Sequence, residues 1–280
     1  METEAKKSTA LATVDTFQIV TGTENLDEEL VAELEDEMED LDDVKGISCK
    51  HIKIPSGGGK AYEIEGDDPD DPEIAKEIEA VIIFTHRMNS YWEGEFGATA
   101  EDGSPNFPKC SSMDGKVGVE FESGEVKNCE NCPLNQYAED GSGKQCKNIR
   151  RLYLLISGKP GIYLLSVPPT SIKDVNKQLA KIMGIQKIPY SKMVIRLKLE
   201  VTKNRNDIKY SKVVIEKAGI LPREVWPVTS AMRRELKEKY KDVAITSDDY
   251  GQSENTESNS VDTSEFVSVD DATPEGLPFN

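Results

Sequence analysis

Apolar residues recur along this chain in two periods. Leu26, Leu30, Leu34, Met38 and Leu41 fall three or four apart, the spacing of one helix face. They predict a helix over 24–44, with Asn25 and Glu28 as its capping pair. CKHIKI (49–54) and AYEIEG (61–66) flank the turn PSGGGK and predict a β-hairpin. That glycine run is not a phosphate loop, because Gly59-Lys60 is followed by Ala61 where Ser or Thr is required. Val81 to Phe84 reads as a buried strand, and Tyr91 and Trp92 beyond it suit either core or base stacking. RLYLLIS (151–157) and GIYLLSV (161–167) form a second hairpin around Gly158-Lys159-Pro160-Gly161. The segment after Pro168-Pro169 is a helix, with Ser171 and Asp174 at capping-box spacing, Ile172, Val175, Leu179 and Ile182 on one face, and Gly184 as its stop. Two long strands, 191–203 and 208–218, and a helix from Arg223 to Lys241 complete the ordered body. The fold class expected is mainly β with accessory helices (α+β).

Charge divides the chain further. Of 280 residues, 34 are Lys or Arg and 52 Asp or Glu, a net charge of −18. Residues 1–143 hold 35 acids and 11 bases, 144–241 hold 7 acids and 23 bases, and 242–280 hold 10 acids and no base. A basic block is thus flanked by polyanionic ends, and that asymmetry says more than the total. The boundaries expected are an acidic N-terminal segment over 1–45, a body over 46–241, and a disordered acidic tail over 242–280, which is too poor in apolar residues to offset the entropy of ordering. No apolar run approaches the roughly 18 residues of a membrane span. The first residues lack a signal-peptide pattern and the five cysteines are an odd number, so a reducing cytoplasm is the setting expected.

Cys110, Cys129, Cys132 and Cys146 are spaced C-x18-C-x2-C-x13-C among glycines. A C-x2-C turn aims two thiolates at one ion, and two more complete a closed tetrahedral site, so a structural zinc module is expected at about 105–150. Cys132-Pro133 also suits an iron–sulfur cluster, the second reading, and unligated thiols are the third. Metal binding would supply folding free energy to this polar, glycine-rich stretch. Cys49, in a strand, reads as a small core residue.

Within the basic block, alternation places Lys192, Arg196 and Lys198 on one strand face, opposite Met193, Ile195, Leu197 and Leu199. Arg151 and Tyr153 share a face of the preceding hairpin, with Tyr163 on its partner strand, and Lys144, Lys147 and Arg150 adjoin the last cysteine. With Lys203 and Arg205 these form the expected nucleic-acid-binding set: cations that track phosphates, and rings that stack on bases whatever the sequence. Lys173, Lys177 and Lys181 line one helix face as a solvated stripe.

The chain closes VDDATPEGLPFN. Asp270, Asp271, Leu277, Pro278 and Phe279 resemble the partner-recruiting tip of bacterial and phage single-stranded-DNA-binding proteins, with Asn280 standing one residue beyond the phenylalanine. The body is similar to the phage-type (prophage-encoded) members: strand hairpins, a helix before two long final strands, and an inserted zinc module, here with four cysteines instead of a set containing His. The resemblance implies an OB-fold-like five-stranded barrel, cytoplasmic in a bacterial host. It implies non-sequence-specific binding of single-stranded DNA in replication or recombination, no enzymatic activity, and recruitment of replication or recombination proteins through the tail. Other classes stay open: an acidic DNA mimic or regulatory interaction protein, a zinc-containing RNA-binding protein, and a nuclease, for which only His51 and His86 offer imidazole bases.

Overall fold

The computed structural model describes residues 13–20, 27–39, 49–68, 71–93, 108–138, 143–203 and 207–242. Its strands are β1 (Cys49–Lys53), β2 (Tyr62–Ile64), β3 (Glu73–Ala75), β4 (Glu77–Tyr91), β5 (Cys110–Ser112), β6 (Val117–Glu120), β7 (Val126–Asn128), β8 (Lys147–Ile156), β9 (Ile162–Val167), β10 (Met193–Lys203) and β11 (Lys209–Ile220). Helices are α1 (Glu28–Glu39), α2 (Pro169–Gln186) and α3 (Trp226–Lys239). The protein is mainly β with a few helices.

Among the described residues, all eleven strands belong to one hydrogen-bonded sheet. The long strand β4 is its axis. It pairs antiparallel with β8 along most of its length, with β10 at its start and with β5 at its end. From there β8 continues antiparallel to β9, β9 parallel to β1, and β1 antiparallel to β2, while β10 pairs antiparallel with β11. The β1–β2 turn docks on the end of β11, where Ser211 Oγ donates to Pro55 O (3.1 Å) and Gly59 O (2.8 Å). Tyr62, fully buried, donates its hydroxyl to Lys198 O (3.0 Å), and these contacts bend the sheet round on itself.

Two cores result. The inner one takes alternate residues from β1, β2, β4, β8, β9, β10 and β11, among them Ile52, Tyr62, Ile78, Ala80, Ile82, Leu152, Leu154, Tyr163, Leu165, Ile195, Leu197, Val213 and Ile215, with Val175 and Leu179 of α2 across its end. The outer one buries Val81, Ile83, Phe84, Tyr153, Leu155, Leu164 and Val194 beneath Phe17 and Leu236 of α3. This is why β4 reads as an unbroken apolar run: both its faces are buried, and a register shift between Ile82 and Phe84 accommodates the extra residue.

The helices start differently from their sequence signals. Asp27 caps α1, its Oδ1 accepting from the Leu30 amide at 2.9 Å, while Asn25 lies outside the described residues. Helix α2 begins two residues before Ser171, because Pro169 at its first position already holds a helical φ. Gly184 does not stop it. The chain instead leaves the helix at Lys187 in the left-handed region (φ 55°), whose amide donates to Met183 O. No helix among the described residues is long and apolar enough to cross a membrane.

Candidate nucleic-acid interface and four-cysteine module

Strands β5, β6 and β7 form a small meander inserted between β4 and β8, and they carry the cysteines. Cys110 opens β5, opposite Glu120 of β6. Cys129 and Cys132 lie in the turn after β7, where Asn128 Oδ1 accepts from the amides of Glu130 (2.8 Å) and Asn131 (3.4 Å) and so tightens the C-x2-C loop. Cys146 immediately precedes β8, and its amide donates to Leu134 O (2.8 Å). All four line one cavity of about 210 Å³, which Leu134, Asn135, Glu120 and Lys127 also border.

Gly118 sits between the sulfurs. A Cβ there would stand 3.0 Å from Cys110 Sγ, close enough that the sulfur would have to give way slightly, and 3.5 Å from Cys129 Sγ, an ordinary contact. Burial pushes the Cys146 thiol up to about 12, reinforced by its three cysteine neighbours, and burial followed by Cys129 raises Cys110. No three His, Cys, Asp or Glu side chains among the described residues form a ready-made ion site. The four thiols share one cavity. Their chemistry, four soft donors around a cavity with no fifth ligand type required, fits a thiolate-bound metal. Cys49 is half-buried against the outer core.

The expected nucleic-acid-binding residues separate into three groups. Arg151, Tyr153 and Tyr163 are buried at 0%, 0% and 3% exposure, which corrects the reading of an open hairpin face. Tyr153 belongs to the outer core and Tyr163 to the inner one, since Tyr163 lies opposite Leu154 and not beside Tyr153. Tyr153 instead meets His86. The His86 Nδ1–H points to Arg87 O (2.9 Å) and its Nε2 faces the Tyr153 hydroxyl (3.2 Å), inside a ring cluster with Phe84 and Tyr240. Lys192 is also buried, its Nζ donating to Trp226 O, Thr229 Oγ1 and Ser230 Oγ, each at 2.6 Å.

The second group is neutralised by carboxylates. Arg196 and Lys198 do share a face of β10, but Glu77 and Glu79 of β4 and Glu216 of β11 flank them. Arg196 pairs with Glu79 (2.7 Å) and Glu77 (3.5 Å), and Lys198 with Glu77 and Glu216 (3.1 Å each). Lys203 pairs with Asp207 at 2.8 Å. The cationic strip expected on β10 is thus an ion-pair lattice, because strands remote in sequence bring acids to both its sides.

The third group remains at the surface, and the module organises it. Lys147 is exposed at the start of β8. Lys144 Nζ lies 5.2 Å from the centroid of the Tyr137 ring, which is 77% exposed, and 3.4 Å from Asn135 Oδ1. Asn135 is a hub: its Oδ1 also accepts from Asn148 of β8 (2.9 Å), and its Nδ2 donates to Cys129 O (2.6 Å). Arg150 follows two residues after Asn148 on the same face, directly opposite Arg87 of β4. Sequence reasoning missed Tyr137 and Arg87. Tyr137 stands alone in a polar loop, and Arg87 precedes the basic block by more than fifty residues; only strand pairing brings it there. Arg205 and the tail residues Asp270, Asp271, Leu277, Pro278 and Phe279 lie outside the described residues.

No protein-family model, no curated protein and no solved structure matches this chain.

Proposed function

We propose that the protein binds single-stranded DNA without sequence specificity, in DNA replication or recombination, through a surface shared by the four-cysteine module and the end of the barrel. The observation that carries this reading is the Tyr137 ring, largely exposed and accompanied by the Lys144 ammonium, on a module tied to Arg150's strand through Asn135 and Asn148. A ring offers any base a stacking face, and the adjacent cations serve the phosphates.

The connectivity supports an OB-type barrel. Strands β4, β8 and β9 form a meander, α2 follows, and β10 and β11 return with β10 against β4. Oligonucleotides engage such barrels at the face of the second and third strands and at the loop joining the first two. Here Phe17 and α3 cover the outer side of β8 and β9, and the first loop carries the cysteine module. Contact is therefore assigned to the module and the adjoining strand ends.

Zinc is the metal proposed for Cys110, Cys129, Cys132 and Cys146. Bound by four thiolates it would be structural, with no open position for substrate. The acidic tail, with its Pro-Phe ending, is proposed to recruit replication or recombination proteins and to compete with DNA for the cationic surface.

Fluorescence titration with oligothymidine and with duplex of equal length, over a salt series, tests the reading. Preference for the single strand, with affinity falling steeply as salt rises, is expected. Tyr137→Ala should weaken binding by roughly 5- to 150-fold, the loss of about 1–3 kcal/mol for one stacked base. Equal affinity for both substrates, or an unaffected Tyr137→Ala, would overturn it. Metal analysis of the same sample should return one zinc per chain; a visible charge-transfer band in anaerobic protein would assign iron and sulfur instead.

A further inference from the structure

Arg87 and Arg150 are directly opposed across the β4–β8 ladder, so their side chains leave the same face. Like charges in that relation destabilise a sheet. The neighbours on this face do nothing to relieve it: Thr85 and Leu152 lie on one side, Asn89 and Asn148 on the other, and none is acidic. The Arg150 Nη1 donates to Thr85 Oγ1 at 3.1 Å, while its Nε is buried with no hydrogen-bond partner among the described residues. Burial, and then Arg87, hold Arg150 below the usual guanidinium value, and the phenol of Tyr190 is the group acting in the other direction. Tyr190 is itself occupied by a third cation, since Arg233 Nη1 donates to its hydroxyl.

The module holds Arg87 in this position. Gly115, with φ at +70°, passes so close that a Cβ on it would stand 2.9 Å from Arg87 Cβ, and its carbonyl accepts from Asn89 Nδ2 (3.3 Å). The acid in the same turn, Asp114, faces elsewhere. Its Oδ1 accepts from the amides of Lys116 (2.7 Å) and Val117 (3.0 Å) and from Ser112 Oγ (3.0 Å). Two arginines thus stand opposite each other, the Arg150 side chain partly buried, and among the described residues no carboxylate pairs with either.

We propose that Arg87 and Arg150 form a seat for one phosphate group, the two planar forks closing on the oxygens of a single tetrahedral anion. Arginine suits this role because its donors match phosphate oxygens in pairs, and an anion there removes the repulsion that the bare pair carries. The seat rests on the reading above for its natural ligand, a phosphodiester of the bound strand. Free phosphate offers the same chemistry, and the test separates the two.

In the full-length protein, the Arg150 Nε–H resonance is followed by ¹⁵N NMR during titration with inorganic phosphate, in the wild type and in Arg87→Gln. Arg87 is exposed, so Arg87→Gln is expected to keep the fold, which an unchanged far-UV circular dichroism spectrum checks. A saturable shift in the wild type that disappears in Arg87→Gln is expected; no shift, or an equal shift in both, overturns the seat. Oligothymidine binding over a salt series forms the second arm. Arg87→Gln should lower the slope of log K against log salt by about one, whereas Arg150→Lys should keep the slope and lose affinity. An unchanged slope, where the wild type binds DNA and phosphate moves the resonance, overturns the strand as ligand and leaves free phosphate. Failure of the wild type to bind oligothymidine sinks the DNA-binding reading, while the phosphate arm still decides the seat.

Discussion

At the scale of single residues, the cysteine module depends on one missing side chain. Gly118→Ala places a methyl group against Cys110 Sγ, a backbone-borne contact that the sulfur relieves only by moving. If the proposed zinc is bound, the expected outcome is zinc content below that of the wild type with little change in the far-UV spectrum of the main sheet, measured by metal analysis and circular dichroism on the same preparation. Asp114 gives a pH prediction. Burial opposes its ionisation, but the amides of Val117 and Lys116 and the Ser112 hydroxyl outweigh it and hold the carboxyl below its ordinary 3.8. A carboxyl lowered on folding contributes stability above its unfolded value and loses it as pH falls through the folded one. Wild type should therefore exceed Asp114→Asn in urea midpoint at neutral pH, with the gap closing below about pH 4; a gap that persists at pH 2 would contradict the assignment. The residue scale is also where sequence reading failed most. Arg151 and Tyr153 do alternate with Leu152 and Leu154, as expected, but alternation does not say which face meets water. Here both do not, because Phe17 and α3 cover the second face.

At the scale of elements, most of the sheet was legible, since strands rich in β-branched and aromatic residues bounded by glycine and proline turns admit few other structures. The hairpins β1–β2, β8–β9 and β10–β11 fall where the pattern places them. What pattern cannot supply is the partner of each hairpin. The pairing of β10 with β4 sets Glu77 and Glu79 beside Arg196 and Lys198, and no local signal announces it. Helix α2 shows the same limit. Ser171 has the spacing of a cap, yet its hydroxyl is spent on another element: it accepts from the Val213 amide at 3.0 Å, as Gln178 Oε1 does from the Ile215 amide at 2.8 Å. The helix thereby satisfies the exposed edge of β11 in place of a further strand. Ser171 is fully buried, so Ser171→Ala should cost about 1–3 kcal/mol by leaving that amide unpaired, read from chemical denaturation. A loss within about 0.5 kcal/mol, the usual range for surface changes, would mean the edge is sealed otherwise.

At the scale of the whole molecule, the division of charge between a basic block and acidic ends makes intramolecular competition the natural consequence of the proposed function. Ending the chain after Asp242 should raise affinity for oligothymidine at low salt, with the gain shrinking as ionic strength approaches molar and screening shortens the reach of the tail. Unaltered affinity at low salt would deny the tail any such role. The salt series proposed above provides the measurement. Of the overall architecture, the mainly β body was readable in advance; the second core was not, since it depends on residues 13–20 and on α3, segments at opposite ends of the body that meet only on folding.

That first segment makes one more property of the chain accessible. Val20 bridges to Pro160 and Cys49 pairs with Ile162, so the polypeptide departs from and rejoins the sheet at sites two residues apart on the same strand end. The acidic helix α1 (Glu28–Glu39) thus lies in sequence between two points, Val20 and Cys49, whose partners are only two residues apart. A short glycine-serine bridge from Val20 to Cys49 should span the junction and yield a smaller protein with its melting transition intact. The acidic insert would then be exchangeable cargo, open to replacement by a tag or a second binding module.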